Sequence, residues 1–188
     1  MLIVKLRRFD YRKDLKKLYH YMLDEKNQMM FSSGFQLHNI EMFESWITEK
    51  FVQNKYHDFF MIENKDGNSI GFTFSYEFFN YDAHCKYTLC LFEEYQDTGY
   101  GAVAGIMMMD YLFRNYPLKR IFISVFDYNA TSLEINKKGG FEEVGVLPDY
   151  RYWGGGYYSL HVLTITRTKF YSKYQYAIDK MKKLNKEQ

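Results

Sequence analysis

The sequence predicts a single mixed α/β domain: a largely antiparallel sheet flanked by helices, closed by a basic helical tail. Three observations predict it. Strand-like segments follow one another across short turns between residues 57 and 92, so the sheet begins as hairpins. Apolar residues recur at helical spacing over 10–23, 99–116 and 168–188, before and after those hairpins and at the end. With 188 residues the chain fits one domain and a short appendage.

Leu2 to Leu6 reads as the first strand, and Leu15, Leu18, Tyr19, Met22 and Leu23 mark a helix over Asp10–Leu23. Residues 24–38 are apolar but irregular; His38 to Val52 returns to helical spacing through Ile40, Phe43, Trp46, Ile47 and Phe51. Phe59–Glu63 and Ser69–Phe78 pair across the turn Asn64–Asn68, and a turn near Asn80–Asp82 leads to a strand over Lys86–Phe92. A helix follows from Gly99 to Tyr116, carried by Val103, Ile106, Met107 and Tyr111 and stopped by Pro117. Arg120–Phe126 is a strand, and Thr131–Lys138 is a short helix whose end at Gly139-Gly140 predicts a left-handed cap. Phe141–Val146, Tyr150–Trp153 and Ser159–Thr166 are strands, the last two joined across Gly154–Gly156. Phe170, Tyr174, Ile178 and Met181 stripe the closing helix.

Composition excludes several classes. Apolar residues are 47% of the chain, too many for a disordered polymer. A net charge of +2 points to no nucleic acid, and the lysine- and arginine-rich ends read as solvated helix faces. The first apolar run is too short for a signal peptide, and no stretch approaches the ~20 residues of a membrane span. A cytoplasmic protein without nucleic-acid or membrane partners is therefore expected. Cys85 and Cys90 lie five apart in a strand, on opposite faces, so they do not bridge. The histidines share no ligand spacing, so no metal is expected. Aromatic residues reach 20%, which a biased codon usage explains as well as a lined pocket does.

The informative stretch is Gln96-Asp97-Thr98-Gly99-Tyr100-Gly101, a turn between a strand and a long helix. Its glycines let the backbone curl so that several N–H groups converge where helix dipole and orphan donors favour an anion. A pyrophosphate suits such a turn without a lysine. The same glycines with Ala104 also fit a dinucleotide fingerprint. There, however, the first glycine follows its strand directly, whereas here about six residues separate Phe92 from Gly99. Upstream hairpins do not belong in that fold either, which leaves a nucleotide-dependent oxidoreductase as a minor alternative.

Taken in order, Leu6-Arg7 with Asp14-Leu15, Ile70-Gly71-Phe72, Gln96-x-x-Gly99-x-Gly101, Asn129-x-x-Ser132, Lys138-Gly-Gly140-Phe141 and a Gly-rich hairpin before the last strand resemble the GNAT superfamily. Within it the likeness is to the ribosomal-protein alanine and spermidine N-acetyltransferase branch, and it runs from about Leu6 to Arg167. The resemblance implies a sheet of about seven strands, splayed at a central parallel pair, in a domain over 1–167, with 168–188 as an amphipathic basic helix. It also implies acetyl-CoA as cosubstrate. Gln96 to Gly101 match the pyrophosphate turn, Leu89, Cys90 and Leu91 the strand that pairs with the pantetheine arm, and Asn129 a side chain holding that arm. A plain helix cap is the alternative for Asn129. A backbone N–H near Leu91 is the implied oxyanion donor. Two positions depart from the pattern: Asn136 stands where many members carry a tyrosine acid, and Ser124 where some carry a glutamate base. That loss motivates a second alternative, a CoA-binding module without turnover.

An alkyl amine must lose a proton before it attacks. Glu77, Glu93, Glu94 and His84 are the carboxylates and imidazole expected near the cleft mouth, with His84 also a substrate contact. The hairpin Tyr150-Arg151-Tyr152-Trp153 through Tyr158 is expected to close the acceptor site, its aromatics either facing a cationic amine or pairing across strands. Phe31 and Phe35 are expected on the opposite wall. The acceptor is a primary amine: a small amine, an amino sugar or antibiotic, or a protein N-terminus. The tail is expected to dock on the domain or on a second subunit, as in a homodimer.

Overall fold

The computed structural model describes residues 2–30, 39–52, 57–79 and 81–184. Seven strands form one sheet: β1 (Val4–Arg8), β2 (Phe59–Asn64), β3 (Ser69–Phe79), β4 (His84–Leu91), β5 (Arg120–Phe126), β6 (Glu142–Trp153) and β7 (Gly156–Thr166). Their order is β1-β2-β3-β4-β5-β7-β6, and only β4–β5 is parallel. The separate strands expected over 141–146 and 150–153 are one edge strand, β6, with register shifts at Glu143/Gly145 and Leu147/Arg151. Pro148, which has no N–H to give a ladder, and Asp149 at φ 49° explain the second shift.

The parallel pair is the feature that makes a site. β4 and β5 pair only through His84↔Arg120, Cys85↔Ile121 and Lys86↔Phe122. Beyond these, β4 stays bonded to β3 as far as Gly71↔Leu91, and β5 to β7 as far as Phe126↔Leu160. Each strand keeps its outer neighbour and releases the inner one. The sheet opens from Tyr87 and Ile123 onward.

Alternation along the strands sends two sets of side chains to two layers. Phe59, Met61, Phe72 and Phe74 pack with Leu15, Leu18 and Met22 of α1 (Tyr11–Leu23) and Phe43 and Ile47 of α3 (Ile40–Ile47). Phe60, Tyr87, Ile121 and Leu163 pack with Met108 and Phe113 of α4 (Tyr100–Asn115) and Phe170 and Ile178 of α6 (Arg167–Leu184). Cys85 and Cys90 fall into opposite layers and are free thiols. The Arg7/Asp14 pair explains why α1 starts where it does. Arg7 grips both oxygens of buried Asp14 and also Glu63 of β2, while the Asp10 side chain accepts from the Arg12 and Lys13 amides.

The sequence missed α2 (Glu25–Met29), five residues capped by Asp24, too short to show a period. The helix expected over 38–52 is shorter: α3 ends at Ile47 and passes into a π-helical turn, Thr48–Val52, while His38 lies outside the described residues. The helix α5 (Ala130–Lys138) ends on Gly139, and the left-handed residue is Gly140 at φ 98°. α6 lies against its own domain. Tyr174 donates to the Gly139 carbonyl, Lys173 to that of Lys138, and Tyr171 to Asp110 of α4.

Candidate functional site

Leu91 ends β4, and the chain turns through Glu93–Tyr95 toward α4. Gln96 folds back to donate Nε2 to the Leu91 carbonyl at 3.2 Å, and Thr98 Oγ1 donates to the Tyr95 carbonyl at 2.5 Å. Asp97 and Gly99 have φ of 58° and 85°. Gly99 is the N-cap of α4, and no side chain caps that helix. The first-turn amides of a 16-residue helix are thus left without intrahelical or side-chain acceptors. Such a turn can accept a doubly charged phosphate group on backbone donors alone. Gly101 faces Leu89 and Leu91 across ordinary contact distances, so the helix rests directly on the strand that borders the gap.

Across the gap stands β5, then Asn129, the N-cap of α5. Its Oδ1 accepts from the Ser132 amide at 3.2 Å, and among the described residues its Nδ2 reaches only the Met30 sulfur at 3.3 Å. A thioether is a weak acceptor, so that N–H₂ is a donor held in reserve. Asn136 is turned onto its own helix, giving Nδ2 to the Ser132 carbonyl at 2.8 Å and to Ser132 Oγ. Ser124 Oγ is buried without a hydrogen-bond partner among the described residues. On β4, burial pushes the Cys90 thiol up to about 12, which keeps it protonated and inert near neutral pH.

The other wall is a clasp. Tyr128 Oη donates to the Met29 carbonyl at the end of α2 at 2.5 Å, and Arg151 Nη1 donates to the same oxygen at 2.9 Å. The Arg151 guanidinium lies 4.0 Å over the Phe126 ring, and Trp153 Nε1 approaches Glu25 Oε1 at 3.5 Å. On the α1 side, Tyr21 packs against Phe72 and Phe92. Burial raises its hydroxyl pKa, with Cys90, Asp24 and Glu93 adding to the rise.

The residues expected from sequence do not all meet. Leu89, Cys90, Leu91, the 96–101 turn and Asn129 border the gap. Glu93 sits at its rim, exposed on the turn after β4. Glu77 and His84 were expected at the cleft mouth, and the structure corrects both. Tyr76 pairs with Lys86 and Phe79 with His84, whereas Leu91 pairs with Gly71. At ~3.3 Å per residue, His84 lies about 23 Å from Leu91, at the closed end of the sheet. Glu77 is nearby and ion-paired with Lys86 at 2.7 Å, and His84 is edge-on to Phe79 and Phe122. Tyr150, Tyr152 and Trp153 are 53%, 64% and 37% exposed, and the cation over Phe126 is the protein's own Arg151. Tyr152 pairs with Tyr157 across the hairpin at 5.1 Å. Phe31 and Phe35 lie outside the described residues. Tyr21 and Tyr128 escaped the sequence reading, and Arg151 entered it only as part of the hairpin, because nothing local marks a side chain whose partners are far away in sequence.

Comparison with known proteins bears on this geometry. A family model described as an acetyltransferase (GNAT) domain matches residues 4–142. The SPbeta prophage-derived uncharacterized N-acetyltransferase YokL of Bacillus subtilis (strain 168) is 22% identical over 125 residues, 66% of this chain and 70% of that protein. The spermidine N-acetyltransferase of Vibrio cholerae, solved in complex with CoA and spermine, superposes with a TM-score of 0.81. It is 19% identical, over 89% of this chain and 97% of that one. The same enzyme, SpeG, was solved with manganese ions (TM-score 0.77, 19% identity, 91% and 96% covered). It was also solved as a dodecamer in an intermediate state (0.77, 20%, 89% and 95%). That manganese complex overturns the no-metal expectation drawn from the sequence. Among the described residues no group of three or more His, Cys, Asp or Glu side chains is arranged to hold an ion.

Proposed function

The chain belongs to the GNAT acetyltransferase family and is an acetyl-CoA-dependent N-acetyltransferase; from that premise we propose that its acceptor is a small cationic alkyl amine, admitted between α2 and the β6–β7 hairpin. The observation that carries this reading is the junction of α2 with that hairpin. Glu25 Oε1 meets Trp153 Nε1 at 3.5 Å, and its neighbour Asp24 caps α2, so two carboxylates stand beside the aromatic hairpin. That pairing favours an ammonium group by charge and by ring quadrupole. Spermine in the similar enzyme is an amine of this kind.

In this reading the amides at the start of α4 bind the pyrophosphate, and the β4 backbone from Leu89 to Leu91 lines the pantetheine arm. The Asn129 amide exchanges its sulfur contact for the arm. The Leu91 N–H faces the carbonyl oxygen where charge develops. No tyrosine acid is needed at position 136, because a thiol of pKa ~8.5 leaves tolerably as a thiolate near neutral pH. Proton loss from the amine then limits the rate. With an alkyl amine near pKa ~10.4, free amine rises about tenfold per pH unit between 7 and 9. The assembly we propose is a higher-order oligomer rather than the homodimer expected from sequence, supported by the dodecameric relative.

The test is thioester consumption against a panel of spermidine, simple monoamines, aminoglycosides and peptide N-termini across pH 6–9. We expect turnover with the alkyl amines, rising with pH, and loss of CoA binding in Gly99→Glu. Turnover confined to peptides or sugars would sink the acceptor assignment.

A further inference from the structure

Buried polar atoms of a folded chain find partners, and those that do not ask for an explanation. Among the described residues three buried side-chain atoms have no hydrogen-bond partner: Ser124 Oγ, Asp127 Oδ1 and Lys182 Nζ. Lys182 is accounted for by its ion pair with Asp110 at 3.0 Å. The other two lie within four residues of each other at the C-terminal end of β5. Both are beyond Phe122, the last β5 residue paired to β4. Three apart, they do not form one cluster on an extended strand. Both follow the point at which β4 departs from β5.

Asp127 is the more telling of the two. Its backbone N–H donates to the Ser159 carbonyl at 3.1 Å, and its Oδ2 accepts from the Ser159 amide at 2.9 Å. Those two bonds tie the end of β5 to β7 immediately after Tyr158. One acceptor atom is all that the tie uses. An asparagine would supply it equally well, without a charge. Oδ1 is therefore surplus to the fold: an oxygen removed from water and given no donor, at a cost. In sequence Asp127 stands between Phe126, under the Arg151 guanidinium, and Tyr128, whose hydroxyl holds α2, with the cofactor-side cap Asn129 next. A carboxylate oxygen kept in this condition suits an N–H donor that arrives with a ligand, and a cationic donor best of all.

We propose that Asp127 Oδ1 is an acceptor-recognition atom that takes a charge-assisted hydrogen bond from an ammonium group of the amine substrate. The inference rests on the proposed cationic acceptor. It adds a residue that neither the motif pattern nor the rim carboxylates pointed to. It also makes Asp127 a site where stability has been given up for binding.

The substitution Asp127→Asn separates fold from function, because it keeps an acceptor for the Ser159 amide and turns the surplus oxygen into an N–H₂. With spermidine at saturating acetyl-CoA, KM for the amine should rise about 10- to 100-fold, as loss of a hydrogen bond to a charged group predicts. CoA affinity by calorimetry should stay within about twofold, and the melting temperature of the free protein should hold or rise by about 2–4 °C. Asp127→Ala, which also loses the Ser159 bond, should lower it. An unchanged amine KM in Asp127→Asn overturns the proposal. So does a fall in CoA affinity, which would assign the oxygen to a pantetheine N–H, or a melting temperature as low as that of Asp127→Ala, which would make the residue structural. Failure of the acceptor reading looks different: the wild type then binds CoA but turns over no cationic amine, and the inference falls with it.

Discussion

At the scale of single residues, backbone geometry explains more of the site than side-chain chemistry does. A Cβ on Gly71 would run into the Cys90 carbonyl oxygen and stand 2.9 Å from Leu91 Cα. Only a glycine lets β3 approach β4 this closely, beside the strand end whose amide we place at the reacting carbonyl. Gly71→Ala should therefore cost about 1–3 kcal/mol, the usual range for overpacking. Turnover should drop by more than the lost stability explains, because Leu91 must shift. A thermal melt with kcat measured well below the transition separates the two effects, and full kcat at reduced stability would remove Leu91 from the chemistry. Gly71 was visible in the sequence as part of Ile70-Gly71-Phe72, but its reason was not, since the clashing atom belongs to another strand. Glu77 and His84 teach the converse. His84 begins the strand that leads to the phosphate turn and Glu77 lies on the strand beside it, so the length of β4 puts both at the other end of the sheet. Asp127 carries no motif, so only the missing partner of one oxygen draws attention to it.

Elements were legible where a period or a cap had room to show itself. β5 was read over Arg120–Phe126 and stands there; α4 is framed by Gly99 and Pro117, and the splay followed from the family resemblance. A five-residue helix such as α2 has no period, and the long edge strand β6 is broken by Pro148 into two apparent pieces. The short helix α5 allows a sharper test, since its cap is also the residue that we place on the cofactor arm. Asn129→Asp keeps an oxygen for the Ser132 amide, and aspartate caps a helix about as well as asparagine. Asn129→Ala should cost about 1 kcal/mol in stability. The aspartate variant should keep wild-type stability yet raise KM for acetyl-CoA severalfold or more, because an acceptor replaces the donor that Nδ2 provides. Equal KM values in the wild type and Asn129→Asp would leave Asn129 as a cap alone. Calorimetric titration with CoA, run beside thermal melts of all three proteins, makes the comparison without depending on the acceptor.

For the whole molecule, the question is why an outer strand has so little cover. Every residue of β6 except Arg151 is exposed. Val144 and Leu147 are 54% and 46% exposed, and Val146 is 42% exposed. Adjacent Val146 and Leu147 pair with His161 and Leu160, so apolar side chains protrude on both faces of the sheet edge. Edge strands of monomers are blunted by charge, proline and bulges. Here Pro148 and the bulge block the ladder, but the apolar residues on either side remain. The sequence could show the alternation of β6 but not that it is outermost, because strand order depends on long-range pairs such as β5–β7. The tail illustrates the same limit: its apolar stripe was plain, and only the contacts of Tyr171, Lys173 and Tyr174 reveal that it lies on its own domain. With α6 turned inward, β6 is the face that we expect to join copies. In light scattering at micromolar concentration the protein should show a mass several times 22.8 kDa. Val146→Lys and Leu147→Glu, each placing a charge on one face of the edge, should lower that mass. Because association adds stability by mass action, they should also abolish any dependence of melting temperature on protein concentration. CoA binding should survive in the dissociated form, since the turn, the gap and Asn129 all come from one chain. A wild type that scatters as 22.8 kDa at every concentration would show that β6 is a bare edge and that the assembly of the similar enzyme does not extend to this one.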